Sequence, residues 1–383
     1  MPVGETTAPE GGAFTDPETG VGVRRLTGVR AHSHHLYFTN SGLWDKGRRL
    51  VIGSHRGNAC NFYSVELAGG AITQLTDFAP DADVSGLSGF VNPVLEELCF
   101  VAGGEVRAVH LRTLQQRALF RTPDGYVSGN LSCTADGKTL CHVVREDLSD
   151  RIRMDLAHGY VGFADYAAAR PHCWIAGIPA HGGDARVLHE DECWIGHVNT
   201  SPTRPDLLTF CHEGPWETVD QRIWAMDLRR GDLWPLRRQK PAEAIGHEYW
   251  FADGRRVGYH GRNAKGVHVF GFTDAEGADG REWRFPHGSG HFHSMDEDLI
   301  VGDGSRERPH LLLWRRAGRR YDGPRKLLTH RGSFHVQCLH VHPRMFAGPD
   351  RRRRVVYTAD PRGYGNVHLV DVPDFESLPE ADA

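Results

Sequence analysis

The chain has 383 residues, with 45 Lys+Arg against 49 Asp+Glu, a formal charge of −4, and 39% hydrophobic residues. No run approaches the roughly eighteen apolar residues a membrane-crossing helix needs. The near-zero charge balance argues against a protein built mainly to bind nucleic acid. We therefore expect neither membrane nor nucleic acid as a partner.

The first nineteen residues read as a polar tail without a basic start or apolar core, so no secretory leader is expected. From residue 20 onward the chain breaks into short apolar runs bounded by Gly, Asp or Pro. GVGVRRLTG (20–28) is followed by RRLVIGSH (48–55), NFYSVEL (61–67), ELCFVAG (97–103) and EVRAVHL (105–111). Later runs include DLLTFCHE (206–213), RIWAMDL (222–228), GVHVFGF (266–272), HLLLWRR (310–316), RRVVYTA (353–359) and NVHLVDV (366–372). Each has strand length and strand composition. Helical periodicity is nearly missing; its one candidate is DYAAARPHC (165–173), inside a lengthened segment 147–172.

The strands recur in one order. Units start near 36, 88, 127, 194, 244, 290 and 335, and four of them place a histidine near the start of the unit: His197, His247, His291 and His340. Their spacings are 50, 44 and 49 residues. Four strands per unit at such a period predict an all-β, seven-bladed β-propeller. The last unit shows three strands, so the segment 20–28 is expected to supply the missing outer strand and close the ring. We expect one domain over 20–375, with tails 1–19 and 376–383. The eight cysteines form no C-x-x-C pair and read as free thiols in a reducing cytoplasm.

Inner strands line the axis of a propeller, so the recurring histidines should face one space. In FHVQCLHVHP (334–343), read as extended strand, His340 and His342 share a face. Gln337 stands close enough to bring a carbonyl oxygen to the same ion. GHFHS offers His291 and His293 with the same spacing, which does not separate ligand from bystander. Three imidazoles and an amide oxygen suit Mn, Fe, Co, Ni or Zn. Arg222 is placed to hold a carboxylate. His34 and His35 lie at the first inner strand, one of them expected in the channel.

HSHHLYFTNSG, CHEGPWETVDQRIW, GHEYWFADG, LIVGDG and QCLHVHP together resemble the oligogalacturonate lyases, propeller enzymes of pectin breakdown, over about residues 20–375. The resemblance implies β-elimination on short galacturonate oligomers, chiefly digalacturonates, to 5-keto-4-deoxyuronate, with Mn²⁺ as cofactor. It implies Gln337, His340, His342 and a histidine of GHFHS, His291 by blade position, as metal ligands. It implies His247 as catalytic base and Arg222 as the catalytic, substrate-binding arginine. His197, His34 and Tyr249 are further candidates for substrate contact, with His197 or Tyr249 as second proton donor. The competing readings are a related lyase for another uronide, a non-enzymatic sugar- or protein-binding propeller, and a propeller hydrolase. The last lacks its G-x-S-x-G elbow here.

Overall fold

Runs such as ELCFVA become strands buried along their whole length, because each sheet of a propeller has neighbours on both faces. All six residues of Glu97–Ala102 are buried. In the computed structural model, which describes residues 2–156 and 159–381, the strands form seven sheets. Five of these have four strands in sequence order, for example Phe90–Asn92, Glu97–Ala102, Glu105–His110 and Gln116–Arg121 in blade two. In these five the innermost strand comes first and the chain then moves outward, as it also does from Ser33–His35 to Ile72–Gln74 in blade one. Apolar side chains meet between blades. One such cluster joins Leu299, Val301 and Leu313 of blade six to Met345, Val355 and Tyr357 of blade seven.

Blade seven is composite. Its inner strands Arg344–Ala347, Arg353–Ala359 and Asn366–Asp371 come from the end of the chain, and Gly22–Arg25 pairs antiparallel with Asn366–Asp371. The first nineteen residues do not form the tail that their composition suggested. Gly12–Thr15 adds a further strand outside Gly22–Arg25, and Thr6–Thr7 pairs with Ile72–Gln74 on the outer edge of blade one. These strands bind through backbone hydrogen bonds at the rim, so their side chains stay polar and hide the pattern. The ring is thus closed from both sides of blades one and seven, which covers sheet edges. The C-terminal segment is also held. Phe375 and Leu378 are buried, and Glu380 forms a bridge with Arg325 at the free edge of blade six.

Within the lengthened segment 147–172, a short helix runs Phe163–Ala168, and residues 157 and 158 lie outside the described residues, as do residue 1 and residues 382 and 383 at the two ends. All eight cysteines are free. Among the described residues, no helix is long and apolar enough to cross a membrane.

Candidate metal centre and active-site cavity

The inner strands aim histidines at the axis by breaking their own alternation. In Ile195–Thr200 the ladder slips between Gly196 and Asn199, and in Ala244–Trp250 between Gly246 and Tyr249. The residue after each glycine adopts left-handed backbone, φ +46° at His197 and +50° at His247. A bulge of this kind re-aims a side chain, and such strained backbone is characteristic of functional sites. His342, at φ +47°, has the same conformation in blade seven. By backbone conformation, His342 rather than His340 is the blade-seven counterpart of His197 and His247.

The segment 334–343 is not a strand. Gln337–Leu339 is a 3-10 turn, His340 follows in extended backbone, and pairing resumes only at Arg344. His340 and His342 converge because the loop bends between them, with ring centroids 5.5 Å apart. His291 joins them, its ring 4.3 Å from that of His342. One ring nitrogen from each of His291, His340 and His342 lies within 4.8 Å of the others.

Asp303 organises this cluster. It accepts the backbone N–H of His291 at 2.8 Å and its Nδ1–H at 2.7 Å, which leaves Nε2 of His291 as a lone-pair donor. Nδ1 of His340 and Nε2 of His342 are buried without a hydrogen-bond partner. Burial pushes the basicity of His340 down to about 4 and that of His342 well below the ordinary imidazole range. Both rings are therefore neutral near pH 7. Neutral imidazoles with orphaned nitrogens and a carboxylate-oriented third ring fit a divalent transition metal. Gln337 lines the same cavity; its amide nitrogen donates to the Tyr160 hydroxyl at 3.3 Å, leaving the amide oxygen free.

His291 and His340 of the cluster stand in one wall of a cavity of about 920 Å³, with His342 buried behind them, and His197, His247, Arg222, Glu213, Trp216, Tyr37 and Arg145 also line it. His247 stacks on His291 at 4.8 Å and on His197 at 5.6 Å, with the edge of Trp216 4.8 Å away. Its Nδ1 lies 2.8 Å from the carbonyl oxygen of Gly290. Burial, then the neighbouring His291, keeps His247 neutral, well below its ordinary pKa. Arg222 is 1% exposed, forms an ion pair with Glu213 at 2.8 Å and lies over Trp216 at 4.9 Å. His197 stands 3.8 Å from Glu213 and 4.0 Å from Glu248. A second group, His197, Cys211 and Glu213, also brings ligand atoms within 4.8 Å of one another. There the Arg222 guanidinium already neutralises Glu213 and repels a cation, so that group fits a metal less well than the His291 cluster does.

Four of the residues weighed from sequence lie elsewhere; one of them, His35, is buried with its Nε2 3.4 Å from the Val341 carbonyl oxygen. His34 is buried against Gly53 and Gly86 and its Nδ1 meets the His35 carbonyl. The ladder of Ser33–His35 is regular, without a bulge to turn a side chain to the axis, and Tyr37, beyond its end, reaches the cavity instead. Tyr249 follows its bulge and points into an aromatic cluster, with its hydroxyl 2.8 Å from Ser294 Oγ. His293 stacks on Tyr249 at 5.0 Å and its Nδ1 accepts the Met345 N–H, so it faces away from the cluster that His291 joins. Neither His34 nor Tyr249 is in the cavity wall. Sequence reasoning passed over Tyr37, Trp216, Glu248 and Asp303. The hairpin register that sets Asp303 opposite His291 was the available signal for the last of these.

The sequence model of a family described as "Oligogalacturonate lyase" matches residues 7–311, a stretch that contains Arg222, His247 and His291 and ends before Gln337. An oligogalacturonide lyase of Pectobacterium atrosepticum is 25% identical over 94% of this chain and 96% of its own. An oligogalacturonate lyase of Dickeya dadantii has the same identity and coverage. A solved structure, an oligogalacturonate lyase in complex with manganese, superposes with TM-score 0.87 at 24% identity, covering 98% of this chain and 99% of its own.

Proposed function

The chain belongs to the oligogalacturonate lyase family, and from that premise we propose that it cleaves short galacturonate oligomers, chiefly saturated or unsaturated digalacturonate, by β-elimination to 5-keto-4-deoxyuronate. The observation that carries the reading is the meeting, in one cavity, of three converging imidazoles and a fourth, His247, whose proton is pinned to one nitrogen.

Removing the C5 proton of a uronate builds negative charge beside its carboxylate. Mn²⁺, the ion named for the solved relative, when held by His291, His340, His342 and the Gln337 amide oxygen, would supply Lewis-acid stabilisation of that charge. The chain's own residues do the rest. His247 donates its Nδ1–H to Gly290, so its Nε2 is free to take the C5 proton. Stacking between His291 and His197 holds its ring in place. Arg222, set by Glu213 and Trp216, steadies the reacting sugar's charge. Departure of the O4 leaving group needs a proton. Of the two donors named from the sequence, Tyr249 is spent on Ser294, which leaves His197 in the cavity wall, beside water. We place the reaction in a reducing cytoplasm, a reading supported by eight unpaired cysteines.

The test is turnover of digalacturonate, unsaturated digalacturonate and diuronides of other uronic acids, followed by the absorbance of the conjugated uronide. We expect activity on the galacturonate dimers that a chelator removes and Mn²⁺ restores. Activity confined to another diuronide would reassign the substrate, and an inert protein that still binds Mn²⁺ would leave a binding function.

A further inference from the structure

Arg145 stands in the cavity wall on blade three, in the strand Thr139–Glu146. In a ring of seven, that blade faces blades six and seven, which carry the imidazole cluster. The side chain is half-buried and is in no ion pair among the described residues; its Nε is buried without a hydrogen-bond partner. Its guanidinium lies 5.4 Å over the Tyr166 ring and 5.7 Å over the Trp194 ring. These aromatic faces hold the cation in position without neutralising it. The other arginine of the cavity differs: Arg222 is already paired with Glu213. Beside Arg145, the bulge of Tyr126–Cys133 brings Ser128 and Asn130 into the same wall as further hydrogen-bonding groups.

A half-buried cation left without a counter-ion is costly unless a ligand completes it, and a guanidinium is shaped to take a carboxylate through two parallel hydrogen bonds. A digalacturonate carries two carboxylates. One belongs to the sugar that loses its C5 proton and sits at the imidazole side. We infer that Arg145 is the anchor for the other, the carboxylate of the uronate on the leaving side of the scissile bond. This rests on the lyase reading above and adds to it a requirement: the leaving sugar must itself be an acid. The substrate then spans the cavity from blades six and seven to blade three, charged at both ends.

The experiment compares Mn²⁺-loaded wild type, Arg145→Gln and Arg145→Lys on digalacturonate and on galactosyl-galacturonate, in which the leaving-side carboxylate is a neutral primary alcohol. We expect wild type to favour the dicarboxylate by about 10- to 100-fold in kcat/KM, mainly through KM, the scale of a charge-assisted hydrogen-bonded pair. Arg145→Gln should lose that preference while keeping kcat on digalacturonate within about threefold of wild type. Arg145→Lys should retain part of it. An Arg145→Gln enzyme with the wild-type preference overturns the assignment, as does a wild type indifferent to the second carboxylate. If the glutamine variant does not fold, the wild-type preference and the Arg145→Lys ratio decide. If wild type turns over neither compound, the lyase reading fails separately, and calorimetric binding of digalacturonate still tests Arg145: a tenfold weaker complex in Arg145→Gln supports the subsite and equal affinity removes it.

Discussion

Nδ1 of His247 donates its proton to the carbonyl of Gly290 at 2.8 Å, and Gly290 immediately precedes His291, a member of the imidazole cluster. A carbonyl oxygen only accepts, so this contact fixes the tautomer of His247. One backbone turn therefore couples the position of the base to that of the cluster. Replacing His247 by Gln should lower kcat by about 10²- to 10⁴-fold, the usual contribution of a general base. Mn²⁺ stoichiometry, measured by elemental analysis, should stay at the wild-type value. Near-normal turnover would remove His247 from the proton-transfer step.

Asp303 orients His291 through its ring and its backbone at once. Asp303→Asn should weaken Mn²⁺ binding by about 10- to 100-fold, as expected for loss of an outer carboxylate that raises ligand basicity. Activity should return at high Mn²⁺. Titration of activity against free Mn²⁺ reads this directly; an unchanged midpoint would make Asp303 a structural partner only.

Gly246 lies against Arg222, and a Cβ built there would stand 2.5 Å from the guanidinium Nε and 3.1 Å from Trp216. Arg222 is buried and cannot swing away freely. Gly246→Ala should therefore shift the arginine and cut kcat/KM by about tenfold or more, because misplacement on the ångström scale costs that much or more. Circular dichroism should show the fold intact. A fully active alanine variant would mean that Arg222 has more room than its packing shows.

Glu248 is fully buried, and neither carboxylate oxygen has a hydrogen-bond partner. Burial raises its pKa from the ordinary 4.5 to about 7, against the opposing pull of Arg222. Glu213, His197, Tyr37 and Cys211 are titratable groups beside it. Between pH 4.5 and 7 the folded chain holds a proton that the unfolded chain releases. Stability from this group is thus present in acid and falls as pH rises through that window. Glu248→Gln should flatten this part of the curve, raising the unfolding temperature relative to wild type more at pH 8 than at pH 4.5. A difference that does not vary with pH would show that Glu248 is ionised throughout.

The recurring histidines were readable in the residues because a blade period repeats them, and His197, His247 and His291 do meet at the cavity. Arg145, Tyr37 and Asp303 were not readable as site residues. Blades one and three lack the Gly-His start, and Asp303 acts only through the hairpin partner it faces. His34 or His35 was expected in the channel from its place at the first inner strand, yet that ladder has no bulge, and His34 packs against Gly53 and Gly86. The rim strands 6–7 and 12–15 were hidden for a different reason: pairing at an outer edge needs backbone groups, not apolar side chains.

The linear order of residues was enough for the propeller, its blade number and the residue types of the centre, because alternation, turn chemistry and repeat length are local properties of the chain. Which ring nitrogens converge, which histidines turn inward and which arginine is left unpaired depended on folding. Those outcomes follow from bulges, left-handed residues and contacts between blades far apart in sequence, and no local pattern encodes a distance across the axis.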